Sequence, residues 1–263
     1  MIKLIQSGAP LSLGQRLKLT ASLSWPAIMA QLSSILMQYI DAAMVGRLGA
    51  SDSAAVGLVS TSLWLFWGTC SAATMGFSVQ VAHRVGAADY SMARSILRQG
   101  ITSSIVIGAV VALIGMAIAH PLPIWLGGDE TINSKASLYF MVFVAALPVL
   151  TLNYLGCAVM RASGNMKVPG GLNVMMCVLD VVFNFLLIFP ARQIDVGAVH
   201  LTVPGAGLGV LGAALGTVAA ELVCAALALW YVTCRQRDLA IFGRRASDQG
   251  SFSPRRKVMR NAL

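Results

Sequence analysis

Three acidic residues fall inside long apolar runs of the sequence: Asp41, Asp180 and Glu221. A charged side chain at the centre of a bilayer carries an insertion penalty of about 2.5–3.5 kcal/mol, so such a group faces a cavity or finds a partner. No Lys or Arg lies deep in the same runs to neutralise these acids. Two kinds of chemistry remain open. The carboxyls take up protons, or they hold cations that enter from water.

Helical spacing gathers polar residues around them. Gln31, Ser34, Gln38 and Asp41 recur at intervals of 3, 4 and 3, which places them on one stripe of a helix. Asn173, Cys177, Asp180 and Asn184 do the same at intervals of 4, 3 and 4. Thr217, Glu221 and Cys224 share a face, and Trp64 and Trp67 lie on a stripe with Ser60, Ser71, Thr74 and Ser78. For the hydroxyl and amide positions, interhelical hydrogen bonding of about 0.6 kcal/mol per pair is a sufficient reading. Three unpaired acids ask for more. The expected cation- or proton-binding set is Asp41, Asp180, Asn184 and Glu221. Gln31, Ser34, Gln38, Trp64, Trp67, Asn173 and Thr217 are expected to line the cavity that serves it. Pro26 removes a backbone hydrogen bond below Asp41, so that run holds either a static bend or a hinge.

The elements that must position these residues are membrane spans. Six apolar runs cover residues 21–45, 54–80, 99–119, 136–158, 170–190 and 206–233. Each has enough residues to cross about 30 Å of hydrocarbon as a helix, and the strict alternation of a transmembrane strand is absent. Hydrophobic residues make up 57% of the 263 and charged residues 11%, where a soluble domain carries about 25% charged. Mean hydropathy is +0.76. This composition excludes an ordinary soluble enzyme, a disordered chain and a disulfide-stapled module. The expected fold class is all-α and integral to the membrane, with six transmembrane helices in one bundle.

The net charge of +9 reads as topology. With the N-terminus inside, sixteen of the nineteen Lys and Arg fall on the cytoplasmic side, and only Arg47, Lys135 and Arg192 fall outside. Both termini are therefore expected in the cytoplasm, and no nucleic-acid partner is expected. Residues 1–20 read as a cytoplasmic segment, 21–233 as the bundle and 234–263 as a basic cytoplasmic segment. The opening residues lack the pattern of a cleaved signal peptide, so the first span is expected to be retained. Ser253-Pro254 looks like another helix start, and the sequence stops as that helix turns apolar. Gly127-Gly128-Asp129 and Ser163-Gly164-Asn165 read as turns, and 190–208 as a connection holding a short outside hairpin. The five cysteines show no metal-binding spacing, and no phosphate loop, nucleophile elbow or HExxH motif occurs. Neither an enzyme, a cofactor nor a metal site is expected, apart from a coupling ion.

Five segments carry a resemblance to a known family: QYIDAAMVGRLGASDSAAVGL (38–58), GFSVQVAHRVGAADYSMAR (76–94), VMRASGNMKVP (159–169), LDVVFNFLLIFP (179–190) and PGAGLGVLGAALGTVAAE (204–221). In this order, and over nearly the whole chain, they resemble the MATE family, the multidrug and toxic compound extrusion transporters. The resemblance implies a secondary antiporter of the bacterial inner membrane. It would export cationic amphiphilic compounds in exchange for H⁺ or Na⁺. It also implies two six-helix bundles about a pseudo-two-fold axis, of which this chain supplies the N-terminal one and a C-terminal half would be the partner. The family's helix 1 acid falls on Asp41 and its helix 5 site on Asp180 and Asn184. Several members read Asn-x3-Asp at the latter, and this chain reads Asp-x3-Asn, which moves the charge one turn inward. Two other readings stand beside this one. A lipid-linked saccharide flippase of the wider superfamily would favour a cationic groove, for which the spans hold no deep Lys or Arg. A non-transporting membrane fragment is the other.

Overall fold

The computed structural model describes residues 12–196, 199–236 and 239–241. The expected helix start at Ser253 lies outside the described residues, as does most of the basic segment. Among these residues, seven α-helices and one hairpin follow in order. They are α1 (Leu13–Gly46), α2 (Ala50–Gly86), α3 (Tyr90–Ile118), the short α4 (Pro121–Trp125), α5 (Glu130–Ala162), α6 (Lys167–Ile188), β1 (Pro190–Val196), β2 (Val199–Ala206) and α7 (Val210–Trp230). A π-turn, Tyr231–Arg235, continues α7.

Each of the six long helices overlaps one apolar run: α1, α2 and α5 extend past theirs at both ends, α3 and α6 at the start only, and α7 begins four residues inside its run. Caps explain several of the starts. Ser12 accepts the Gln15 amide, and Gln15 returns a side-chain oxygen to the Ser12 amide at 3.0 Å, so α1 begins eight residues before its apolar run. Asp89 caps α3 by accepting from Met92 N at 3.1 Å, and Asp129 caps α5 by accepting from Glu130 N at 2.8 Å. Gly127 and Gly164 both adopt positive φ in the turns placed there from sequence. The short α4, with Pro121 at its first position, is too brief to show a helical period in the sequence.

Five of the long helices are long and apolar enough to cross a membrane. α1, at 34 residues, is long enough to be the sixth. Large apolar side chains point outward all round the bundle, among them Leu65 at 69% exposure, Leu113 at 64% and Ile124 at 64%. A soluble surface does not carry such a continuous apolar band. Lipid accounts for it.

α5 is the central helix. α2, α3 and α7 all pack along it, and its buried face includes Phe140, Val144, Leu155 and Met160. α6 packs along α7 on one side and along α1 on the other. The antiparallel hairpin runs from the Pro190–Ala206 pair to the Val196–Val199 pair, with an irregularity near Arg192. Its exit returns to the end of α6: Gly207 N donates to Phe189 O at 3.0 Å, Leu208 N to Leu187 O at 2.9 Å and Gly209 N to Ile188 O at 3.1 Å. These bonds satisfy carbonyls that a helix C-terminus leaves open. They also fix α6 against the start of α7, which decides the geometry of the site.

At the opposite end, packing continues past residue 233. Ile241 N donates to Thr233 O at 2.9 Å, and Leu239 and Ile241 are buried with Phe77, Val81 and Met160. Asn165 donates its amide to the Tyr231 hydroxyl at 3.2 Å, which ties the turn after α5 to the π-turn.

Candidate functional site

Asp41 lies near the C-terminal end of α1, and Asp180 and Asn184 lie one turn apart on α6. Asp180 and Asn184 are fully buried. The Asn184 amide donates to Asp41 Oδ1 at 2.8 Å and to Asp180 Oδ2 at 3.2 Å. One side-chain amide therefore bridges two carboxyls from different helices. The two carboxyls are close enough to interact through that shared donor. The Thr217 hydroxyl on α7 donates to Ala213 O at 3.1 Å and stands against Asp180.

Close helix packing makes this possible. A Cβ at Gly216 would overlap Asn184 Oδ1 and lie 2.9 Å from the Asn184 backbone nitrogen. A Cβ at Gly212 would likewise run into the backbone of Leu187. The small-xxx-small pair on α7 thus lets α6 approach until Asp180 meets Thr217.

Two acceptor oxygens in the cluster have no hydrogen-bond partner although they are buried: Asp180 Oδ1 and Asn184 Oδ1. The ion pairs Arg84–Asp89 and Lys135–Asp52 both lie outside the cluster. Two ionised carboxylates this close repel one another strongly in a medium of low dielectric. A proton on one of them, or a bound cation, removes that repulsion and gives the orphan oxygens a partner.

Of the sequence-derived site residues, the structure brings Asp41, Asp180, Asn184 and Thr217 together. Glu221 sits one turn beyond Thr217 and bonds elsewhere, accepting the Asn153 amide of α5 at 2.5 Å. Gln31 and Gln38 are exposed on α1, and Ser34 beside them is half-buried. Asn173 is half-buried on α6, nearly two turns from Asp180. Trp64 and Trp67 form an edge-to-face pair with centroids 5.6 Å apart, and Trp67 makes a second such contact with Tyr154 at 6.0 Å. They lie on α2, which packs chiefly along α3 and α5, so they form a separate exposed aromatic edge. α1 runs as one helix through Pro26.

Two participants were not expected from sequence. Asn153 is the partner of Glu221, and Tyr139 of α5 stands close enough to Asp41 and Asp180 to sense their charge. Asn153 carried one usable signal, as a lone amide in the middle of an apolar run. Tyr139 carried none that separates it from an interfacial aromatic.

Comparison with known proteins bears on what such a site serves. A family profile, MatE, matches residues 26–186. A probable multidrug resistance protein NorM of Chromobacterium violaceum is 23% identical over 168 residues, which cover 64% of this chain and 36% of that protein. A probable multidrug resistance protein NorM of a Synechococcus strain is 36% identical over 120 residues, or 45% of this chain and 25% of that one. A solved structure described as the outward-facing conformation of a multidrug resistance MATE family transporter superposes with a TM-score of 0.78 at 21% identity. It covers 92% of this chain, and the chain covers 49% of it. The chain spans about half that structure's length, and less of the two curated relatives.

Proposed function

The chain belongs to the MatE family, and on that premise we propose that it forms the ion-coupling bundle of a multidrug antiporter. The proposed substrates are cationic amphiphilic compounds, exported across a bacterial inner membrane in exchange for H⁺ or Na⁺. Both termini are proposed to lie in the cytoplasm, and the proposed partner is a second, C-terminal six-helix bundle. Family membership makes the chain a membrane transporter component and not an enzyme.

One observation carries the reading. Asp41 and Asp180 come from different helices, share one amide donor, and leave buried oxygen acceptors without a partner. A structural pair would be closed by a basic residue. This pair is left for something that comes and goes. Binding a cation there favours whichever arrangement of α1 against α6 brings the two acids together. Releasing the cation favours their separation. The shift can be no larger than the difference in affinity between the two states. Pro26 is the proposed hinge, since it removes one backbone bond of α1 below Asp41. Glu221 and Thr217 extend the polar face along α7, and Gln31, Ser34 and Gln38 continue it along α1. Trp64, Trp67 and Asn173 remain proposed contacts for the transported compound.

The test is susceptibility to cationic drugs in a host lacking efflux pumps. The chain expressed alone is expected to give no protection, and co-expression with a matching C-terminal bundle is expected to give it. Protection by the 263-residue chain alone would contradict the two-bundle reading. A stable two-bundle assembly with no gradient-dependent export would contradict the antiporter reading.

A further inference from the structure

Glu221 stands apart from the Asp41–Asp180 cluster in its contacts. Its Oε2 accepts the Asn153 amide, while Asn153 Oδ1 accepts the Cys157 thiol at 3.7 Å. Thr217, one turn earlier on α7, is the residue that meets Asp180. The same face of α7 therefore serves two acids on successive turns, each with its own amide: Asn184 for the aspartates and Asn153 for the glutamate.

The titratable groups facing Glu221 are Cys157 from α5, Asp180 from α6 and Cys224 on its own helix. Arg161 lies beyond Cys157 along α5.

We propose that Glu221 and Asn153 form a second proton-binding site, separate from the Asp41–Asp180 site and not occupied by sodium or by an organic cation. The proposal rests on the reading of the chain as part of a cation-coupled transporter. Three observations carry it. An amide is an ambivalent partner: its N–H donates to an ionised carboxylate, and its carbonyl accepts from a protonated one. By turning its amide over, so that its carbonyl leaves the Cys157 thiol for the protonated carboxyl, Asn153 can hold Glu221 in both states, which a Lys or Arg partner could not. Hard metal cations gather several oxygen ligands, whereas the Glu221 carboxyl is bonded to one amide with two thiols beside it, and the facing Asp180 is held by Asn184. An organic cation needs room, and α5 and α7 are pressed together one helical turn along from Asn153, where a Cβ at Gly156 would lie 3.2 Å from the Ala228 Cβ. A proton needs only the oxygen.

The experiment is infrared difference spectroscopy of the purified chain in lipid nanodiscs. The carboxylic C=O region is followed as pH changes, with and without NaCl. Two separable carboxyl signals are expected. Asp41→Asn and Asp180→Asn remove or alter one of them, and Glu221→Gln removes the other. Asn153→Leu moves the midpoint of the Glu221 signal and leaves the aspartate signal in place. NaCl leaves the Glu221 signal unchanged. Glu221→Asp keeps a carboxyl at the site and is expected to restore a signal with a different midpoint, which separates loss of the proton site from loss of fold. The proposal is overturned if Glu221→Gln leaves the spectrum unchanged, if Glu221→Gln and Asp41→Asn remove the same signal, or if NaCl displaces the Glu221 proton. If Glu221→Gln removes a signal while the aspartate variants change nothing, the second site stands and the coupling role of Asp41 fails.

Discussion

Asn184 donates its side-chain amide to Asp41 on another helix at 2.8 Å while also donating to Asp180 on its own helix at 3.2 Å. One residue thus decides how far apart a buried carboxyl and a half-buried one sit, and it joins the edge helix α1 to the rest of the bundle. Replacing it by leucine keeps the branched four-atom side chain and leaves both acids without their shared donor. A buried acceptor stripped of its partner costs about 1–3 kcal/mol. Asn184→Leu is expected to lower the melting temperature of the purified chain in detergent. Any protection given by Na⁺ or by lowered pH should weaken with it. An unchanged melting temperature and unchanged ion response would show that the bridge is incidental.

Gly216 is a positioning residue for that bridge. A methyl group there has no space, because Asn184 occupies it. Gly216→Ala is expected to push α6 from α7 and to destabilise by about 1–3 kcal/mol, as overpacking does. Gly171, also on α6, faces open space. Gly171→Ala is expected to be neutral, or stabilising by up to about 1 kcal/mol, from helix propensity alone. Equal melting temperatures for the two variants would contradict the close approach at Gly216.

The Lys135–Asp52 ion pair joins the starts of α2 and α5 at 2.5 Å, with Lys135 nearly half exposed. Exposed pairs contribute about 0–1 kcal/mol and are screened by salt. Lys135→Met is expected to change stability within that range, and the difference should shrink in high salt. A larger, salt-independent loss would mean that the pair holds the helix ends in a way its exposure does not suggest.

The fold was legible where a period decides it. Apolar runs of span length gave the six long helices, and the 3.6-residue phase put Asp41, Asp180 and Asn184 on inward faces. Sequence cannot say which helix lies opposite a face. Glu221 was therefore grouped with the aspartates by its phase with Thr217, whereas α5 passes close enough for Asn153 to take it. Tyr139 escaped for the same reason.

Topology follows from the distribution of Lys and Arg and is checked by labelling in intact cells. Cysteines introduced by Ala50→Cys and Asp129→Cys, both at exposed helix starts, are expected to react with an impermeant reagent from outside. Ser91→Cys and Lys167→Cys, exposed at the opposite end, are expected to react only after permeabilisation. Labelling of Lys167→Cys in sealed cells would reverse or break the assigned orientation.

The central claim is that the pair Asp41 and Asp180 carries the coupling ion. Dye efflux from vesicles holding the two-bundle assembly, driven by an imposed proton or sodium gradient, tests it most directly. Asp41→Asn keeps size and hydrogen bonding and removes only the charge, so insertion into the membrane should be no less favourable. The account predicts normal amounts of Asp41→Asn protein in the membrane and gradient-driven efflux reduced to background. Asp41→Asn transporting at the wild-type rate under either gradient would contradict it.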